Sequence, residues 1–244
     1  MLNKLLFNKG DKTEVEVFTK HKFLLDIEEV IPKPAKHFLP TWWKDMPRTT
    51  DFPDQLRDDQ LKGTAKSCPS FVQMFGQGIV LPMWCDTILS RDERNVFHWK
   101  TSSNIFKWEF HDDWQFLDHL KKPRFQKVFK AESPWYIKTK PGVSLLQFPM
   151  LFDFNEDYTI VPGVLNSDIY HQINQQLIYT SDSNEIKINR GQAFVWYIPF
   201  IRTKFDYKIF AANEELKQTV DNQTNAVFTK FSGHYAKEIK KRGI

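Results

Sequence analysis

Residues 161–177 read VPGVLNSDIYHQINQQL, which sets a glycine turn, an amide, an acid, a tyrosine and a histidine between two strand-like stretches. Asn166, Asp168, Tyr170 and His171 are the candidate ligand contacts, and Asp168 is the only carboxylate among them. Asn166 can donate and accept hydrogen bonds but cannot act as a carboxylate base. A second constellation would do metal chemistry. His111 and Asp113 form an H-x-D pair, and His171 with Arg190 or Arg202 would complete the residue types of a non-haem iron, 2-oxoglutarate-type site. Its logic is two imidazoles and one carboxylate on three corners of an octahedron. Against it, the spacing is permissive and His111 falls in a helix-like stretch. His37, His98, His119 and His234 read as surface or packing residues. The chain has no G-x-S-x-G elbow, P-loop, H-E-x-x-H or C-x-x-C. Cys68 and Cys85 are too few for a disulfide framework and lack structural-zinc spacing, so they read as reduced thiols.

Strands must position these residues. Between Tyr158 and Phe200, YTIVPGVL, YHQINQQLIY, EIKINRG and AFVWYIPF recur at the spacing of a compact antiparallel sandwich or barrel-like fold. Upstream, the strand-like run from Val128 is broken by Pro134 and again by Pro141-Gly142, a strong type II turn signal. Residues 95–110 read as a hairpin around TSSN, with Phe97, Trp99, Phe106, Trp108 and Phe110 on one aromatic face. Gly76-Gln77-Gly78 suits a turn or bulge, and without a third glycine it is no phosphate loop.

The N-terminal half is irregular. Pro32, Pro34, Pro40 and Pro47 forbid a continuous helix over residues 31–47, leaving an extended or turn-built brace anchored by Trp42 and Trp43. Residues 51–66 read as a charged surface loop. Asn213 is a candidate N-cap with Glu214 and Glu215 in the first helical turn, followed by Leu216, Val220, Val227, Phe231, Tyr235 and Ile239 on one face. The expected fold is mainly β: an antiparallel sandwich or β-clip-like core, an irregular Pro- and aromatic-rich N-terminal half and a C-terminal α-helical tail. Residues 1–204 would form one β-rich domain, with 31–66 as its wrap and loop, and 205–244 the tail.

Composition limits the partners. Thirty-four Lys and Arg against 30 Asp and Glu leave +4, too little to imply nucleic-acid binding without a concentrated patch. The segments KKPRFQKVFK and KEIKKRG mix cations with Phe125 and Phe129 and could meet phosphate or single-stranded nucleic acid, although a solvated face explains them better. No window approaches the ~20 apolar residues of a membrane span, and MLNKLLFNKG is too short in apolar run for a signal peptide. A soluble protein of a reducing compartment is expected. Twenty-two Phe, eight Trp and seven Tyr imply an aromatic core with surplus rings at the surface, where they suit contact with a protein partner or self-association.

The segment VPGVLNSD followed by EIKINRGQAFVWYIPF resembles the trimeric deoxyuridine triphosphatase (dUTPase) family, which has a β-clip fold. In that family an acid in the turn orients the water that attacks a nucleotide phosphate, and the later strand supports the base pocket. Here Asn166 stands at that acid's position and Asp168 matches the second acid. The resemblance thus implies a nucleotide pyrophosphohydrolase-like site near Asn166 and Asp168, with Trp196 on the supporting strand and Mg²⁺ as cofactor. A broader resemblance covers residues 30–202. PAKHFLPTWWKDMP, KSCPSF, GIVLPMWCD, SPWYIKTKPGVSLLQFP, VPGVLNSD and GQAFVWYIPFIR are similar to an uncharacterised family of marine tailed-phage proteins, including those of cyanophages. It implies synthesis in a bacterial host cytoplasm, with the virion as an open alternative, and no catalytic residues. The preferred expectation is a phage-encoded accessory, structural or ligand-binding protein without catalysis or cofactor. The nucleotide enzyme with Mg²⁺ and the iron oxygenase are the alternatives.

Overall fold

The computed structural model describes residues 14–50, 62–229 and 241. Phe231, His234, Tyr235 and Ile239, and most of the 51–66 loop, lie outside the described residues. The chain gathers into two compact units. The larger is built from Thr13–Met46 and Met74–Arg202, and the smaller draws on Met1–Lys12, Pro47–Gln73 and Thr203–Ile244.

Among the described residues the strands, in chain order, begin with β1 (Val15–Thr19), β2 (Lys33–Pro34), β3 (Thr49–Thr50) and β4 (Lys62–Gly63). Then come β5 (Ile79–Pro82), β6 (Thr87–Arg91), β7 (Phe97–Thr101), β8 (Trp108–Phe110) and the longest, β9 (Lys127–Thr139). The last are β10 (Val143–Pro149), β11 (Tyr158–Ile160), β12 (Gly163–Leu165), β13 (Gln172–Tyr179), β14 (Glu185–Ile188) and β15 (Ala193–Ile201). In the larger unit, one sheet runs β1-β9-β13-β11, with β8 sharing the β1 edge of β9. A second runs β12-β10-β15-β5-β2, and a third β14-β6-β7. All of these pairings are antiparallel. The smaller unit holds the β3–β4 pair and the C-terminal helix Glu214–Thr229. The expected mainly antiparallel β fold with a C-terminal helix is therefore present.

Strand alternation decides what is buried. Along β9, Phe129, Ala131, Trp135 and Ile137 point inward and join Leu145, Phe194 and Tyr197 of the second sheet in one cluster, so the two sheets pack as a sandwich. Each such large side chain contributes about 1.5–3 kcal/mol by leaving water. A polar bridge crosses this core: Gln175 Nε2 donates to Tyr197 Oη at 2.9 Å, and Tyr197 Oη donates to Gln147 Oε1 at 2.9 Å. Burial pushes the Tyr197 phenol well above its ordinary range, which keeps it a neutral donor.

Two local expectations are corrected. Pro134 does not break β9. It falls within a bulge of β9, between Glu132 and Tyr136, which pair with Asn174 and Gln172 of β13, so no ladder donor is needed there, and its carbonyl accepts from Thr19 Oγ1 at 2.8 Å. Residues 97–110 are not a hairpin: β7 pairs with β6, whereas β8 pairs with β9. The TSSN segment carries the chain from one sheet to another. Trp42 and Trp43 form the expected packed brace, with the Trp43 ring 4.7 Å from Phe75 and Trp42 Nε1 donating to the Phe152 carbonyl at 2.7 Å. In the smaller unit, Asn213 caps the C-terminal helix by accepting from the Leu216 N–H at 2.9 Å. No helix among the described residues is long and apolar enough to cross a membrane.

Candidate functional site

The 166–171 turn follows edge strand β12 and leads into β13. The Asn166 carbonyl accepts from the N–H groups of Ile169 and Tyr170 at 2.9 and 3.0 Å, which closes the turn on itself. Beside it lies the β9–β10 turn, where Val143 N–H donates to the Lys140 carbonyl at 3.0 Å and Gly142 has φ +83°, as the Pro-Gly pair predicts. Arg202, one residue past β15, reaches between the two turns. Its Nη1 donates to Asp168 Oδ1 at 2.7 Å and its Nη2 to Asp168 Oδ2 at 2.5 Å, a bidentate fork. Nη1 also reaches Ser144 Oγ at 2.8 Å and Asn166 Oδ1 at 3.1 Å. Gly142 N–H donates to Asp168 Oδ2 at 2.9 Å, and Ser144 Oγ donates to Asn166 Oδ1 at 2.8 Å. Below, Thr139 Oγ1 donates to the Val143 carbonyl and so accepts from Ser167 Oγ, both at 2.8 Å.

This is a closed network. Only 6% of the Asp168 side chain is exposed, and the Arg202 fork followed by the Gly142 N–H holds its carboxyl down at about 2. Asp168 is thus ionised at neutral pH, with its oxygens already occupied. Mg²⁺, which the hydrolase alternative would recruit, does not fit these donors. Asn166 Oδ1 and both Asp168 oxygens already accept from a guanidinium, and a second cation would meet that positive charge. Joining three chain segments is what the arrangement can do chemically.

The other candidates separate. His171 Nδ1 donates to the Ser167 carbonyl at 2.8 Å, and its ring meets Phe18 edge-on. Tyr170 is exposed, with its hydroxyl on Gln172 Oε1 at 3.1 Å. Trp196 is no ligand platform: it is 1% exposed, stacks on Phe75 and donates from Nε1 to the Gln77 carbonyl at 2.8 Å. The iron-site expectation is also corrected. His111 is bound to Val128 at the start of β9 and His171 to Ile137 near its end. Nine residues of strand span about 30 Å, far beyond any shared metal. Asp113 is instead paired with Lys127 at 2.8 Å, and no group of three ligating side chains forms a metal cluster among the described residues.

A cleft was missed in the sequence. Arg91, Phe97, Phe110, Asp113, Gln126 and Lys127 are among the residues lining a depression of about 580 Å³ at the junction of β6, β7, β8 and β9. The mixed basic and aromatic run KKPRFQKVFK was its one visible signal, since Gln126 and Lys127 belong to it.

The fold and this junction define an antiparallel β-sandwich protein in which the carboxylate of the 166–171 turn, Asp168, is used to join chain segments. No family model and no curated protein matches the chain. Among the solved structures similar to it are dUTPases. They include the native EIAV enzyme, at 11% identity and TM-score 0.33, covering 57% of this chain and 86% of that one. A mutant dUTPase from phage phi11 of S. aureus has 8% identity and TM-score 0.31, over 57% and 85% of the two chains. Another structure of the phi11 dUTPase, showing its species-specific insert, has 8% identity and TM-score 0.29, over 55% and 84%.

Proposed function

We propose that the chain is a non-catalytic binding protein, an accessory or structural component that associates with further copies of itself. The supporting observation is the segment after Arg202. Phe205, Tyr207, Ile209 and Phe210 are 82%, 78%, 92% and 70% exposed, in a stretch without helix or strand. Apolar side chains rarely stay this wet unless they meet a partner. Phe205, Tyr207 and Ile209 alternate, so an extended backbone would present them on one side. Burying three such side chains contributes roughly 5–9 kcal/mol per chain. Two chains exchanging the contact symmetrically double that gain, enough to meet an association cost of about 4–15 kcal/mol. A phage origin rests on the sequence resemblance alone.

Light scattering of the purified chain should show a concentration-dependent oligomer in the micromolar range. The triple variant Phe205→Ser, Tyr207→Ser, Ile209→Ser should remain monomeric and melt as the dilute, monomeric wild-type chain does, because side chains this exposed hold little of the fold, whereas the wild type should melt higher as its concentration rises. A wild-type chain that stays monomeric throughout would sink the reading, as would turnover of any nucleoside triphosphate by the purified chain.

A further inference from the structure

The cleft beside β9 combines features that neither the self-association nor the 166–171 junction uses. Arg91 ends β6, and its guanidinium donates to Gln126 Oε1 at 2.5 Å and Asn184 Oδ1 at 3.1 Å. Both acceptors are neutral amide oxygens, so the fork is oriented but its charge is not neutralised. Lys127 lies on the same cleft, 2.8 Å from Asp113 Oδ1 and with its Nζ 5.5 Å from the centre of the Phe110 ring. Two cations against one carboxylate leave the lining one net positive charge.

Phe110 supplies the second chemistry. It is 42% exposed, yet its ring is braced at 5.0 Å by the fully buried Phe129, so it is a fixed apolar surface. Phe97, edge-on to Phe129 and Tyr179, forms another part of the lining. A volume of about 580 Å³ suits a small organic molecule.

We propose that this cleft binds a small aromatic anion, a phosphate or carboxylate carried on a planar ring, with the acid group on Arg91 and Lys127 and the ring against Phe110. The Arg91 fork matches two oxygens of either acid, and the Lys127 ammonium adds a point charge beside the ring. The inference goes beyond the self-association reading and does not depend on it, since it uses no residue after Arg202.

Phenyl phosphate, benzoate, inorganic phosphate and benzyl alcohol are the probes, titrated into the ¹⁵N-labelled full chain. Phenyl phosphate or benzoate should shift the amide signals of residues 91–97, 110 and 126–127 in a saturable way at millimolar concentration. Inorganic phosphate and benzyl alcohol, each carrying half of the chemistry, should bind about tenfold more weakly. Arg91→Gln should weaken phenyl phosphate by about tenfold or more, the loss of one charge-assisted contact. Phe110→Leu, at a partly exposed position, tests the ring contact without touching the Arg91 bonds and should also weaken binding. The proposal is overturned by no saturable shift with either aromatic acid, by shifts confined to other parts of the molecule, or by equal affinity for inorganic phosphate. Undiminished binding to a folded Phe110→Leu chain would overturn it too.

Discussion

Gly78→Ala is expected to destabilise the protein by roughly 3–5 kcal/mol, from left-handed backbone strain of about 1–2 and forced repacking for the rest. Gly78 has φ +69°, and a Cβ there would lie 2.0 Å from the Tyr197 carbonyl oxygen, inside any possible contact. That oxygen belongs to the backbone of β15, which is paired with β5 and β10, so it cannot yield without disturbing the second sheet. The Gly78 carbonyl also accepts from Ala35 N–H at 3.2 Å, and the preceding Gln77 carbonyl holds the Trp196 indole. Two other glycines rank the causes. Gly142 has φ +83° but open space around its would-be Cβ, so Gly142→Ala should cost only the backbone term of about 1–2 kcal/mol. Gly163 has neither constraint, and Gly163→Ala should be close to neutral. Thermal melts of the three variants should show a loss of roughly 10 °C or more at Gly78, a smaller loss at Gly142 and almost none at Gly163. Equal losses at Gly78 and Gly142 would mean that the close approach to Tyr197 is not what the position requires.

Gly78 also marks where the sequence could be followed and where it could not. Signals that act within a few residues were legible: Gly76-Gln77-Gly78 as a turn, Pro141-Gly142 as a type II turn, Asn213 as an N-cap and alternation along the strands. Each is a property of local backbone geometry. The resemblance implies Trp196 on the strand beside a base pocket, whereas β15 is buried on both faces here and Phe194, Val195, Trp196 and Tyr197 are all inside. Pro134 is tolerated for a related reason: proline argues against a strand only where the partner needs its N–H, and the bulge in β9 that holds Pro134 removes that need. The junction of Asp168 with Arg202 joins residues 34 apart, and the cleft draws Arg91, Phe110 and Lys127 from separate strands. Neither leaves a spacing to read. An acid in a polar turn has the same residue type whether it meets a ligand or an arginine, and only the fold decides between the two.

Asp168→Asn should lower the melting temperature by several degrees at neutral pH, and that deficit should vanish in acid. The Arg202 fork first, and the Gly142 N–H next, hold the Asp168 carboxyl at about 2, below its ordinary 3.8. The folded chain therefore takes up this proton less readily than the unfolded one. Its contribution to stability is fully present above pH 3.8 and is lost as the pH falls through about 2. Asparagine keeps the volume and one acceptor oxygen but removes the charge, so the variant lacks that contribution at every pH. The gap between wild type and Asp168→Asn should stay constant from neutral pH down to about 5 and close by about 2, while other acid-induced losses affect both chains. Arg202→Gln should produce a similar deficit with the same closure, since it removes the other half of one fork. The double variant should cost little more than either single change, because the second substitution finds the pair already broken. A gap that persists undiminished into strong acid would show that Asp168 acts through packing rather than charge. Additive losses would show that Arg202 serves Ser144 and Asn166 independently of Asp168, and the three segments would then be joined by separate bonds rather than by one ionised carboxylate.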